Sequence, residues 1–296
     1  MRRKTPRILT VSLCFVMTFS ALLLPARAQE SVSAGDLIVY TERVKTGFIN
    51  WGAGYAEVAV EAPYETERFG ISHAKMRAIE AAKEQAEKAL YRLLRGINLT
   101  GEMRLAGDEG LEESLRTLAK KQAKIEKQKT TNVTLTATYR MPIYGHKSLS
   151  GIIRGKAFGE GETGELAGTS GGGYSSVVLD ASGTSLQAAL LPRIITEDGK
   201  LLFGPSDLDA KAAGAATYVI RGDGGDKQLR LSKPTAKNMG ENPLVLKVEK
   251  VGGEFFADVV LRPEQADALR AAQPGDLLTH GRLFIIQTNS IDASES

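Results

Sequence analysis

The run Val177-Val178-Leu179-Asp180-Ala181-Ser182-Gly183-Thr184 puts a carboxylate at the end of an apolar stretch, followed by a hydroxyl, a glycine and a threonine. Aspartyl phosphotransferases use this order: a strand end presents the Asp as nucleophile, and the turn after it leaves space for a phosphoryl group. The next residues argue against it. Leu191-Pro192-Arg193-Ile194-Ile195 reads as another strand, leaving no room for a full crossover helix after Asp180. An aspartic-protease reading fails as well, because Ala181 separates Asp180 from the Ser182-Gly183 pair. The expectation is a strand-end Asp that caps its turn.

Other reactive side chains form no pattern. His73, His146 and His280 are far apart, and Cys14 is the single cysteine. Zinc sites need imidazoles or thiolates at close spacing, which these do not offer. No Gly-x-Ser-x-Gly elbow is present. Gly171-Gly172-Gly173 leads into Tyr174-Ser175-Ser176-Val177 and a strand, without the Lys-Ser/Thr pair and helix of a phosphate loop. Lys120, Lys121, Lys124, Lys127 and Lys129 make a basic run whose expected place is the end of a helix. There they complement the helix dipole, opposite Glu112 and Glu113 near its start. We therefore assign no catalytic, cofactor-binding or metal-binding residue, and the chain is expected not to be an enzyme.

The elements that carry these residues follow from hydrophobic periodicity. Ala56, Val58, Val60 and Ala62 alternate with more polar neighbours, as do Val133, Leu135, Ala137 and Tyr139, the period-two pattern of strands with one buried face. A strand-like stretch precedes them over residues 37–44. Between them, Ala74, Ala78, Ala82, Ala86, Leu90 and Leu93 stripe a helix over 71–97, and Leu111, Leu115, Leu118 and Ile125 stripe another over 111–128. Nine glycines between Gly151 and Gly173 mark a linker. Beyond it, strands are expected at 177–180, 191–195, 201–203, 217–221, 244–251, 255–261 and 283–288. Glu197-Asp198-Gly199-Lys200 forms a hairpin turn, and Pro263 opens a helix reaching Ala272. The reading is α+β: two small α+β domains, 36–154 and 174–290, with mainly antiparallel sheets, joined by a Gly-rich linker over 155–173.

The first 28 residues read as an export signal. Arg2, Arg3, Lys4 and Arg7 precede the apolar run from Ile8 to Leu24, and Ala26-Arg27-Ala28 supplies the small residues of a cleavage site. Retention of this segment as a membrane anchor is the alternative, since the run is near the lower limit for a span. Removing it takes away Cys14 and five of the 38 basic residues, leaving 33 against 35 acidic ones. The formal charge of +3 becomes −2. The remaining chain has no global basicity to favour nucleic acid, and neither disulfides nor thiol chemistry.

Gly52-Ala53-Gly54 before a strand, with the alanine-striped helix from Ala74 to Leu94, resembles the Lpp-twenty lipoprotein family, which includes FlgP-like envelope proteins of bacteria. The second half resembles the extension of secreted members of that group. The matching residues are Val178-Leu179-Asp180-Ala181-Ser182-Gly183, Leu191-Pro192-Arg193-Ile194 with Asp198-Gly199, and Gly240-Glu241-Asn242-Pro243-Leu244-Val245. The resemblance implies an envelope protein, in some members a component of rings or discs around the flagellar motor, with no catalytic residues to carry over. Lipoproteins of the family have a cysteine at the cleavage site. This chain has Ala28 followed by Gln29.

The combined expectation is a periplasmic, non-catalytic scaffold or assembly protein of the cell envelope. Its expected partners are envelope proteins and copies of itself, near the outer membrane or peptidoglycan, without nucleic acid and without a cofactor. The alternatives are a peptidoglycan- or ligand-binding protein and a hydrolase or phosphotransferase centred on Asp180.

Overall fold

A computed structural model describes residues 32–45, 47–159, 161–212, 214–222 and 230–288. The export signal, its cleavage site after Ala28 and Cys14 lie outside the described residues. The described residues form one compact unit.

In chain order the elements begin with β1 (Leu37–Val39), β2 (Thr41–Val44), β3 (Gly47–Asn50), β4 (Tyr55–Pro63), α1 (Thr66–Phe69) and α2 (Ile71–Arg95). Next come α3 (Glu109–Gln122), β5 (Lys124–Thr130), β6 (Thr134–Pro142) and α4 (Leu149–Ala157). The second half contains β7 (Ser176–Asp180), β8 (Ile194–Thr196), β9 (Leu201–Phe203), β10 (Thr217–Arg221), α5 (Lys233–Met239) and β11 (Pro243–Lys247). It closes with β12 (Lys250–Gly252), β13 (Asp258–Leu261), α6 (Pro263–Ala272), α7 (Gly275–Thr279) and β14 (Leu283–Gln287). The fold is α+β, with mainly antiparallel sheets.

One sheet has the order β2-β3-β4-β6-β5 and is antiparallel throughout. Its two longest strands are the ones that alternate in the sequence, and they pair along their whole length, from Tyr55 opposite Pro142 to Pro63 opposite Thr134. The apolar members Ala56, Val58, Ala62, Leu135, Ala137, Tyr139 and Met141 are buried on one face. Helix α2 lies there, burying Ala78, Ala82, Ala86, Leu90 and Leu94. Alanine lets the helix axis approach the sheet closely, and the leucines toward its end contribute roughly 1.5–3 kcal/mol each by burial. Asp108 caps α3 by accepting from the Leu111 N–H at 2.9 Å.

The sequence predicts that this second helix runs on to Gln128, but it ends at Gln122. Thr131 and Thr134 bond to each other through backbone and hydroxyl groups, forming the turn of a hairpin. That hairpin draws residues 124–130 into a ladder with β6, and strand pairing outweighs the local helical pattern.

The second sheet has the order β1-β10-β14-β7-β11. Here β10, β14, β7 and β11 are parallel neighbours, contrary to the antiparallel pairing expected for this half. The short connection after Asp180 does exclude β8 as a parallel neighbour of β7 within this sheet. The neighbours are instead β11 and β14, far along the chain, with helices in the connections. Both faces are covered: Val177 and Leu179 join one core, while Val178, Phe284 and Ile286 join another with Leu37 and Met239. Burial on both faces is why these strands read as unbroken apolar runs.

A third, four-stranded sheet, β12-β13-β8-β9, contains the expected hairpin, with Gly199 at φ +84° in its turn. The expected strand over 37–44 is divided at Tyr40, so that β1 pairs with β10 and β2 with β3. The expected linker is partly helical, since α4 reaches Ala157, and it is docked: Leu166 is buried and the Gly164 N–H bonds Asp207 Oδ1 at 3.0 Å. The halves, expected as domains, are interlocked: β1 of the first half joins the second half's parallel sheet, and one hydrophobic core includes residues of both.

Candidate functional site

In a parallel sheet the carboxyl ends of the strands share one edge, where open α/β sheets place their ligand sites. Asp180 ends β7, Arg221 ends β10, Lys247 ends β11, and Thr288 follows β14. The topology thus gathers one acid, two cations and the Ser182-Gly183-Thr184 turn.

Asp180 is buried, and both of its oxygens are engaged. Oδ1 accepts from the Ser182 N–H at 3.0 Å and from its hydroxyl at 2.5 Å. Oδ2 accepts from Arg221 Nη2 at 2.9 Å and lies 3.4 Å from Lys247 Nζ. Lys247 also donates to the Ser182 carbonyl at 3.0 Å. The turn is tied to the last strand through Thr288, whose hydroxyl accepts from the Gly183 N–H at 3.0 Å and donates to the Thr184 carbonyl at 3.1 Å. Burial alone would raise the Asp180 pKa, but hydrogen bonds from Ser182 and Arg221 outweigh it and hold the carboxyl below its ordinary value. The group is an ionised, fully coordinated anion that fastens three strand ends and a turn. All four of these interactions come from the protein itself.

A second buried acid had no sequence motif. Asp258, at the start of β13, accepts from Arg193 through Nε at 3.1 Å and through Nη2, and from the Gly101 N–H at 2.8 Å. Around it the loop over 97–105 is stitched to the second half: Leu190 N–H bonds the Asn98 carbonyl at 2.9 Å, and Phe255 N–H bonds the Gly101 carbonyl at 2.8 Å. The available signal was one acid inside the apolar run Phe255-Phe256-Ala257-Asp258-Val259-Val260. An acid so placed is buried only with a partner.

The remaining candidates are dispersed. His73 sits with its ring 5.7 Å from Phe69, and His280 Nδ1 lies 2.7 Å from the Asp276 carbonyl oxygen. Among the described residues no three His, Cys, Asp or Glu side chains are grouped to hold a metal ion. The lysines expected together at the end of a helix are split: Lys120 and Lys121 end α3, whereas Lys124, Lys127 and Lys129 lie on β5.

A family model described as Treponema pallidum Tp0624, second domain, matches residues 176–289. The second half is thus similar to that domain. The Tp0624-like segment begins at β7 and ends just after β14, so it contains Asp180, Arg193, Arg221, Lys247 and Asp258. It does not contain β1 or the loop over 97–105, both of which the first half supplies. No curated protein matches the chain.

Proposed function

We propose that this protein is a non-catalytic assembly or scaffold protein of the cell envelope, binding envelope proteins and copies of itself. The observation that carries this reading is the first half of α2. There Ala74 and Ala78 are buried, while Ile71, Met76 and Ile79 are 66%, 62% and 42% exposed. Isolated exposed apolar residues are ordinary, but Met76 and Ile79, three residues apart, share one face of the helix, the kind of pair that partners cover. Arg68 and Arg77 stand over the Phe69 ring just before α2, at 5.0 and 4.3 Å from its centroid. The sequence reading of residues 1–28 as an export signal and the resemblance to envelope proteins support a role outside the cytoplasm. Among the described residues no helix is long and apolar enough to cross a membrane.

The test is light scattering of the protein alone and after mixing with envelope extract, followed by cross-linking. Self-association or a specific envelope adduct that weakens with Met76→Ser and Ile79→Ser supports the proposal. A strict monomer that captures nothing overturns it.

A further inference from the structure

We propose that β5 and the groove at its start form a binding track for an anionic polysaccharide. This goes beyond the assembly role and does not depend on it. Strand β5 is the outer strand of its sheet, and all seven of its residues are exposed. Its ladder with β6 pairs Lys124 with Arg140, Lys127 with Thr138 and Lys129 with Thr136, with a register shift between Ile125 and Lys127. In a regular strand Lys124 and Lys127, an odd number of residues apart, would point to opposite faces. The extra residue, Glu126, corrects the phase. Because Leu135, Ala137 and Tyr139 are buried on the helix side, all three lysines stand with Thr136, Thr138 and Arg140 on the open face.

Their partners on β6 are two residues apart, so the lysines repeat at roughly 7 Å along the strand. None of the three forms an ion pair with a carboxylate among the described residues. Of the acids on or beside this face, Glu57 and Glu126 are taken by Arg140, at 2.8 and 3.2 Å, and Glu61, opposite Thr136 on β4, lies one strand beyond the row.

The ladder leads into a concavity. Lys121, Lys124 and Lys147 line a groove between the end of α3 and the turn before α4, together with Gln122, Tyr144 and Ser148. A neighbouring groove shares Lys121 and Lys147 and adds Lys156. Gln122 Nε2 donates to the Lys147 carbonyl at 2.6 Å, while its Oε1 is buried without a partner among the described residues.

The shape selects the ligand. A row of cations that follows a strand and then turns into a groove suits a linear chain better than a flat bilayer. The surface beside the lysines carries the hydroxyls of Thr136 and Thr138, which match sugar hydroxyls. The aromatic rings on this face, Tyr55 and Phe48, pack edge to face with each other and have Arg140 and Arg43 over them, so they are already engaged where a single-stranded nucleic acid would stack its bases.

The test is titration of the full chain with polygalacturonate, with neutral dextran, phosphatidylglycerol vesicles and a single-stranded oligonucleotide as separate arms. Polygalacturonate is expected to bind at low salt and to weaken as salt rises. The triple variant K124Q/K127Q/K129Q should lose about tenfold in affinity with an unchanged melting temperature, as for three exposed charge contacts. Lys147→Gln, on a different element, should lose about threefold. Absence of polygalacturonate binding, binding indifferent to these substitutions, or equal binding of vesicles or oligonucleotide through the same lysines would overturn the proposal.

Discussion

The backbone N–H of Gly101 donates to the buried carboxylate of Asp258 at 2.8 Å, so a glycine of the first half and an acid of the second share one hydrogen bond across the seam. A Cβ on Gly101 would lie 2.3 Å from Asp258 Oδ2 and 2.4 Å from its Cγ. Gly101→Ala must therefore displace the carboxylate from Arg193. The expected loss of stability is about 1–3 kcal/mol, as for overpacking at a tight site.

The single tryptophan gives a probe for that seam. Trp51 is buried, with its ring edge-on to Tyr218 at 5.7 Å, and its indole N–H donates to Glu42 at 2.9 Å. In urea, Trp51 fluorescence and far-ultraviolet circular dichroism should follow one coincident transition, shifted together by Gly101→Ala. Separate transitions would mean that the halves unfold independently.

Replacement of the other buried acid distinguishes fastening from catalysis. Asp180→Asn removes the charge that Arg221 and Lys247 share, and Arg221 and Lys247 are themselves 42% and 50% exposed. Exposure to water discounts the 3–5 kcal/mol typical of a broken buried pair to about 1–3 kcal/mol. Loss of thermal stability, with no phosphatase or phosphotransferase activity to lose, is the expected result. A turnover abolished in a variant that melts like the parent would restore Asp180 as a nucleophile.

Acid should weaken the protein through the same carboxylates. Asp180 is held below its ordinary value, and hydrogen bonds from Tyr91 and from the Gly107 N–H, with Arg95, hold Glu112 at about 2. A lowered native value favours the folded state above the unfolded-chain value and loses that advantage as pH falls through the native one. Melting temperature should be level from about pH 5 to 7 and drop below about pH 4. Asp180→Asn and Glu112→Gln should each make that drop shallower.

On α2 the two faces should respond oppositely. Ala82 is fully buried against the sheet, so Ala82→Leu should cost about 1–3 kcal/mol in urea unfolding. Met76→Ser, on the exposed face, should change stability by no more than about 0.5 kcal/mol while lowering any self-association.

What could be read in advance depended on how local the signal was. The alternation in β4 and β6 and the alanine stripe of α2 are properties of contiguous residues, and they led to the right elements on the right side of the sheet. Pro263 likewise marked the start of α6, and Asp198-Gly199 the hairpin. The end of α3 was misplaced because the competitor for residues 123–128 is β6, beyond a turn that local periodicity does not weigh. The parallel order of the second sheet was hidden for the same reason: each of its ladders joins strands separated by a long crossover. Asp180 was legible as a strand-end acid, but Arg221 and Lys247 were not legible as its partners, since only the assembled sheet brings their strand ends together. Asp258 offered only the oddity of an acid inside an apolar run, and Gly101 carried no pattern at all.

Strand β1 is an outer strand of a sheet whose other members all come from the second half, and Leu37 pairs with Arg221. A chain that emerges from its amino end therefore presents β1 long before the surface it will lie on has been made. Pairing at such sequence separation comes late, after the intervening loop entropy has been overcome. During that interval Leu37 and Val39, both buried in the finished protein, have no native place to go. A partner able to cover an unpaired apolar strand would have its opportunity then, during synthesis rather than in the folded protein.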